Sequence, residues 1–353
     1  MVYAAERRFP DLKIAFDENT FELVVAMTME SPAERLAALN DFIIERCGGS
    51  GAFLSRLKEK TYFTTFDGTI LAGNSTSMIA EQGVTGAHLL RSDIVRTSRL
   101  LDRCLQKFYR DLGAEEVQMP SIVSRRTLVR AGYIPRDAHQ VGEIFVQNPD
   151  SGAPISSDAC LSPALCLSCY AAFEGARLPE PTLLSAAGQV YRYEGGMHGG
   201  GDPLTRLWEY RVRELVGFGP VEMVRCVHER YLNFIKNLAL TFRLPSRAST
   251  AADTFFHGEY AHIAAHQLIG AKKTEFRVNL DLGPLAVSSF NIHDRHFTRE
   301  FDIGLDVASE STQSFCIGFG LERLAYAMTL AIQDREDRER ILIDFERKIA
   351  NEG

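Results

Sequence analysis

The sequence contains no apolar run long enough to span a bilayer, and its start, MVYAAERRFPDLK, lacks the apolar stretch and cleavage site of a secretory signal. Neither a membrane protein nor a secreted one is expected, and the location indicated is cytoplasmic. A disulfide framework is also missing, because seven cysteines at irregular spacing suit reduced thiols. Positive charge is not in excess. The formal net charge is -7, which leaves no electrostatic footprint for nucleic acid beyond what a local basic patch would provide. Internal repeats, low-complexity tracts and charge blocks are absent as well. What remains is an ordinary globular composition, 45% hydrophobic and 24% charged over 353 residues, enough for one large domain with a smaller appendage.

Punctuation and periodicity divide the chain into an appendage at residues 1–82 and a main domain at residues 83–353. The appendage opens with alternating apolar segments, LKIAF and FELVVAM, followed by a helical pattern from Pro32 to Cys47 and a Gly-rich stop. No chemistry is legible in it. From Ser92, SDIVRTSRLLDRCLQKFYRDLG places apolar residues at helical spacing up to Gly113 and leads into a short strand, EEVQMP. Further strands are predicted at GEIFVQ, GQVYRYE, LWEYRVRELVGFG, EFRVNLDL and LAVSSFNI, several joined by loops too short for a crossover helix. The expected fold class is α+β, a mainly antiparallel sheet flanked by helices. The last pattern, IQDREDRERILIDFERKI, reads as a surface helix.

The stretch VYRYEGGMHGGGDPLTRLWEYRVRELVGF carries the most chemistry: two strand-like segments flank a Gly-rich loop and bear Arg192, Glu194, Arg206, Arg211, Arg213 and Glu214. Alternating guanidinium forks on neighbouring strands suit phosphate or carboxylate oxygens, and equally suit cross-strand pairs with glutamates. The Gly-rich insert is either a mobile lid or a surface loop. In SFCIGFGLERLAYAM, Gly318 and Gly320 lead from a strand into a helix whose first turn holds Glu322 and Arg323, an entry that suits a phosphate over the sheet.

These two stretches resemble motifs 2 and 3 of the class II aminoacyl-tRNA synthetases, and the helix ending at Gly113 with EEVQMP resembles motif 1, in the expected order. Within that class the chain looks most like the amino acid:[carrier protein] ligases, truncated homologues of the atypical zinc-dependent seryl-tRNA synthetases. The likeness rests on GYIPRDAHQVGEIF, CLSPALCLSCY, the spacing of Arg211, Arg213 and Glu214, DTFF, and SSFNIHDRHF followed by SFCIGFGLERLA, and it covers about Gly83 to Leu330.

The resemblance implies a class II synthetase catalytic fold, a homodimer built on motif 1, and zinc bound by Cys166, Glu214 and Cys316. Two thiolates and a carboxylate would leave an open position for the α-amino group of a small amino acid. It also implies ATP and magnesium, with Arg192 on the α-phosphate and Arg323 on the γ-phosphate as catalytic groups. Glu194 corresponds to the acid that contacts adenine, and Arg206 lies in the loop that reaches the phosphates. Arg211 and Leu215 complete the ATP-binding set, Leu215 standing where motif 2 usually has an aromatic residue. The segment LAVSSFN lacks the acidic residue often used for magnesium.

The implied reaction is adenylate formation and transfer of the aminoacyl group to the phosphopantetheine thiol of an acyl or peptidyl carrier protein. Seryl-type tRNA aminoacylation is the alternative. Against it stand the absence of a heptad-patterned arm in residues 1–82 and of a recognisable anticodon-binding module after Leu330, so tRNA is not the expected partner. A synthetase paralogue without catalysis is the third reading, kept open by Leu215 and LAVSSFN. Among the remaining cysteines, Cys47, Cys104 and Cys226 read as small buried hydrophobes, whereas Cys160 and Cys169 fit either role. The histidines His257, His262, His266, His293 and His296 are not expected to form a second metal site.

Overall fold

The computed structural model describes residues 59–81, 83–84, 86–193, 203–252, 267–268, 270–306 and 311–349, with the backbone of strands 12–17 and 22–27. The chain divides into two compact units, one of residues Met1–Thr61 with Ser249–Thr274 and a larger one of Tyr62–Ala248 with Glu275–Gly353. By this division residues 62–82, grouped with the appendage from sequence, fall in the larger unit. In the smaller unit β1 (Leu12–Asp17) and β2 (Glu22–Met27) pair antiparallel, at the two alternating segments LKIAF and FELVVAM. The helix expected from Pro32 to Cys47 lies outside the described residues.

After β3 (Thr61–Thr65), β4 (Ile79–Glu81) and β5 (His88–Leu90) comes α1 (Ser92–Asp111), then β6 (Glu115–Glu116), β7 (Ile122–Ser124) and α2 (Arg125–Arg130). A hairpin of β8 (Glu143–Gln147) and β9 (Pro154–Leu161) precedes α3 (Cys166–Ala172), β10 (Arg177–Leu178), β11 (Thr182–Tyr191), β12 (Glu209–Gly219) and α4 (Val221–Thr241). The chain continues through β13 (Ser246–Thr250), β14 (Lys273–Leu280), β15 (Gly283–Asp294), α5 (His296–Glu300), β16 (Gly304–Leu305) and β17 (Gln313–Gly320) into α6 (Leu321–Ala331) and α7 (Arg335–Ile349).

Eight strands form one sheet in the order β3-β13-β14-β15-β17-β12-β11-β6. The pairs β11/β12, β12/β17 and β15/β17 are antiparallel, and β6 is parallel to β11. This is the mainly antiparallel, helix-flanked α+β architecture that the strand spacing predicted. One face of the sheet is covered by helices because alternate strand residues there are large and apolar. Phe319 of β17 sits among Tyr109 of α1 and Tyr231 and Phe234 of α4, and Phe345 of α7 closes against Phe234 and Phe242. Helix α1 turns Ile94, Leu101, Leu105, Phe108 and Tyr109 into this core at three- and four-residue spacing. It stops where Gly113 adopts φ +91°, a conformation that glycine enters without the Cβ penalty.

Helix α7 is the one-sided surface helix expected, with Leu342 and Phe345 turned inward and most of its charges outward. Its Arg338 is fully buried, pairs with Asp93 at the start of α1, and donates to the Thr97 hydroxyl at 3.1 Å and the Ile332 carbonyl at 2.6 Å. A periodicity argument assigns every arginine to the wet side; here the guanidinium fork closes the α6–α7 turn against α1.

A second buried cation, Arg213 of β12, faces α1 from the same side of the sheet. It donates to Asp102 at 2.7 Å, Glu116 at 2.6 Å and the Ser185 hydroxyl at 3.2 Å. Replacing Asp102 with alanine leaves that charge half-compensated, and we expect a loss of roughly 2–3 kcal/mol in denaturant unfolding. Asp102→Asn, which retains an acceptor, is expected to lose less.

Candidate active site

The face of the sheet opposite those helices carries the chemistry, and residue alternation decides what reaches it. In β12, Arg213 and Leu215 lie opposite Phe319 and Ile317 of β17, on the helix side; Glu214 lies opposite Gly318 and Val216 opposite Cys316, on the other. From β11, Ala186 lies opposite Glu214 and Gly188 opposite Val212, so the same face continues toward Arg192. From β15, Ser289 lies opposite Gly318 and Asn291 opposite Cys316. A Cβ built on Gly318 would meet no atom within 4 Å, so the floor between Glu214 and Ser289 is open.

Three potential ligands converge on this face. The Sγ atoms of Cys166 and Cys316 and a carboxylate oxygen of Glu214 lie within 4.8 Å of one another, all three residues buried. Cys166 arrives from the first turn of α3, whose start packs close over the sheet because Gly188 beneath it has no side chain; a Cβ there would come within 2.9 Å of Leu165. Glu214 Oε2 accepts from the backbone N–H groups of Leu165 and Cys166 at 3.0 and 3.3 Å, which leaves Oε1 for another partner.

Burial raises the Glu214 carboxyl above its ordinary value, and the hydrogen bond with Cys316, reinforced by burial and by Glu214, holds the Cys166 thiol well above its own. Crowded in a dry site, the Glu214 carboxyl and the Cys166 thiol resist ionising together unless a cation joins them. The donor set therefore fits a soft divalent ion. Tetrahedral zinc with bonds of about 2.3 Å to sulfur needs sulfurs roughly 3.8 Å apart, a contraction of about 1 Å at most.

The other cysteines separate from this trio. Cys169 packs its Sγ 3.7 Å from the Met119 sulfur and burial pushes its thiol up to about 12; Cys104 is likewise pushed up to about 12, against α7. Cys160 is buried on β9. Cys226, expected to be a buried hydrophobe, is exposed on α4. Cys47 lies outside the described residues, as do His257, His262 and His266.

The predicted ATP-binding set divides. Arg192 lies at the end of β11; its backbone N–H bonds the Trp208 carbonyl at 2.8 Å, its Nε donates to the Pro163 carbonyl at 2.9 Å, and its charge lowers the Glu214 carboxyl. Arg323, in the first turn of α6, lays its guanidinium over the Tyr210 ring at 5.5 Å. Arg206 is exposed just after Pro203–Thr205. Glu194 and the Gly-rich insert lie outside the described residues.

Arg211 and Leu215 are placed away from the trio. Both have the parity of Arg213 and turn to the helix side, where the Arg211 guanidinium lies 3.8 Å from Asp102 and Leu215 is fully buried. Tyr210, four residues before Glu214, is in phase with it and lies under Arg323. Counting by twos back from Glu214 finds it in the sequence.

Glu322 is a further buried acid beside these cations, accepting the Arg211 backbone N–H at 3.0 Å. Burial pushes its carboxyl from an ordinary 4.5 up to about 7. Because the folded value is the higher one, the folded chain holds this proton across pH 4.5–7. Its contribution is full below pH 4.5 and is lost as pH rises through 7, by about 3 kcal/mol. Glu322→Gln keeps the acceptor and cannot ionise, so calorimetry should show wild type and variant unfolding alike at pH 4 and the variant more stable at pH 8.

The geometry defines a class of protein first. The fold is that of the class II seryl-tRNA synthetases: the structure of M. kandleri seryl-tRNA synthetase in complex with A. aeolicus tRNASec matches with a TM-score of 0.68 at 17% identity, covering 90% of this chain and 70% of that one. A cytoplasmic serine-tRNA ligase from Naegleria fowleri in complex with AMP matches with a TM-score of 0.62 at 12% identity, covering 88% and 79%.

Sequence relatives narrow the likeness. Amino acid–[acyl-carrier-protein] ligase 2 of Bradyrhizobium diazoefficiens is 29% identical over 269 residues, 70% of this chain and 77% of that protein. Ligase 1 of the same organism is 28% identical over 246 residues, 62% and 72%. Type-2 serine–tRNA ligase of Methanococcus maripaludis is 30% identical over 172 residues, 46% of this chain and 33% of that protein. No protein-family profile matches the chain. Its homologues are thus ligases of these two names on one class II fold.

Proposed function

We propose that the protein activates a small amino acid with ATP and transfers it to the phosphopantetheine thiol of a carrier protein. The observation that carries this reading is the convergence of Cys166, Glu214 and Cys316 with Arg192 on one sheet face, in a chain whose similarity to carrier-protein ligases extends over 70% of its length. An ion such as zinc held by the trio would supply Lewis acidity and an open position for the substrate's neutral α-amino group.

The amino-acid carboxylate attacks the α-phosphorus of ATP, an aminoacyl-phosphate bond forms, and the bond to the β-phosphate oxygen breaks to release pyrophosphate. Arg192, oriented through its Nε by the Pro163 carbonyl, stabilises the charge that builds on the α-phosphate. Arg323 binds the distal phosphates, and the Tyr210 face beneath it serves the adenine in place of Leu215. Magnesium, Glu194 and Arg206 complete the ATP site. In the second step the carrier thiol attacks the carbonyl carbon, AMP leaves with the bonding electrons, and the thiol proton passes to phosphate or solvent. No covalent nucleophile of the protein takes part.

The deciding experiment supplies ATP, magnesium and labelled small amino acids in an extract from the source organism. Label on a small protein that survives RNase and is released by neutral hydroxylamine supports the thioester; label removed by RNase makes tRNA the acceptor and refutes it.

The homodimer expected on the motif 1-like segment is proposed to extend over the β7–β9–β8 sheet. Ile122 of β7 and Phe145, Val146 and Ile155 of β8 and β9 expose 43–57% of their surface on this small three-stranded sheet. Phe145→Glu is expected to convert the dimer to a monomer in light scattering.

A further inference from the structure

Cys316 has neighbours that the metal trio leaves unexplained. Its Sγ lies 3.5 Å from Asn291 Nδ2 and 3.8 Å from His293 Nε2, both on β15, two residues apart and on the face that holds the trio. Asn291 Nδ2 is also 3.1 Å from the Ser289 hydroxyl, which helps to fix the amide. The imidazole is fixed from behind: His293 Nδ1 lies 2.9 Å from the Tyr170 hydroxyl. Tyr170 is in turn fully buried, stacked on Phe297 at 4.3 Å and on Phe301 at 5.9 Å, and edge-on to Phe218.

The Tyr170 phenol can give its proton to Nδ1, and in that tautomer the ring hydrogen sits on Nε2 and points at the sulfur. Asn291 contributes an amide N–H, a donor at any pH. Glu214 has its own orienting donors in the Leu165 and Cys166 amides. Each side of the trio is therefore held by groups that are not ligands themselves.

We infer that Asn291 and His293 are positioning residues that hold the Cys316 sulfur by two N–H···S bonds, with Tyr170 setting the imidazole tautomer. Donors on a thiolate withdraw charge from it, which fixes its direction and leaves a bound cation more electrophilic toward an incoming amine. The inference rests on the reading of the trio as a metal site. It assigns SSFNIHDRHF a role: the Asn-x-His step puts two donors in phase on one strand, beside the cysteine of the neighbouring strand.

The test uses the full chain loaded with Zn2+ or with Co2+ and reads zinc affinity by chelator competition and the thiolate-to-cobalt charge-transfer band. Asn291→Ala and His293→Ala should each bind zinc about 10- to 100-fold more weakly. Their cobalt bands should move to longer wavelength, because a sulfur stripped of a donor is easier to oxidise. His293→Gln, which restores an N–H, should recover much of both, and Tyr170→Phe should shift the band while leaving the imidazole in place.

A variant that fails to fold is replaced in the comparison by His293→Gln and Tyr170→Phe, which keep volume and packing. Wild-type affinity and an unmoved band in Asn291→Ala and His293→Ala overturn the inference while the metal site stands. A wild-type chain that binds neither ion overturns the metal reading itself.

Discussion

Arg192→Ala is expected to lower kcat for amino-acid-dependent pyrophosphate exchange by about 100- to 1000-fold, the loss found when one preorganised donor is removed from a developing oxyanion. The argument is positional. The backbone N–H of Arg192 continues the β11–β12 hairpin by bonding Trp208, and its Nε bonds the Pro163 carbonyl, so the guanidinium reaches the site already oriented. Arg192→Lys retains the charge without the fork and should fall between wild type and alanine. Arg192 is only partly buried, so the melting temperature should change little. A loss below fivefold with an intact fold would remove Arg192 from the reacting phosphate.

Cys316→Ala and Glu214→Ala should abolish stoichiometric zinc, and with it amino-acid activation. Wild-type protein should carry roughly one ion per chain; each variant should bind zinc at least about 100-fold more weakly, a larger loss than removal of an outer hydrogen bond brings. Cys169→Ala is the control that distinguishes a ligand from a neighbour. Its sulfur lies in the same helix three residues from Cys166, yet it packs against Met119, so zinc content should be unchanged. Mass spectrometry of the native protein with zinc analysis settles both. Zinc retained in Glu214→Ala at wild-type affinity would sink the three-ligand site.

The strands of the site were legible because their alternation is regular and their flanks carry turn residues: β12 and β15 coincide with LWEYRVRELVGFG and LAVSSFNI to within a few residues. The trio was legible because Cys, Glu and Cys occur in stretches whose resemblance placed them, although they are separated by 48 and 102 residues. What alternation left open was which side of each strand faces the chemistry. A strand buried on both faces, as β12 is from Arg213 to Gly219, shows no contrast between wet and dry sides, so the side to which Leu215 turns was not legible. The burial of Arg338 was not legible either: periodicity measures hydrophobicity, and a buried guanidinium in a full hydrogen-bond set looks polar. The donors on Cys316 were invisible until β15 and β17 were paired, since their proximity is a property of register.

That register also limits how the chain can change its length. Along β12, Glu214 turns to the face of the trio while Arg213 turns to α1. Insertion or deletion of one residue would exchange the two, swinging Arg213 over the open floor and pressing Glu214 into the aromatic core. A change of length is tolerated in the turns between strands, where it leaves the parity of β12 untouched.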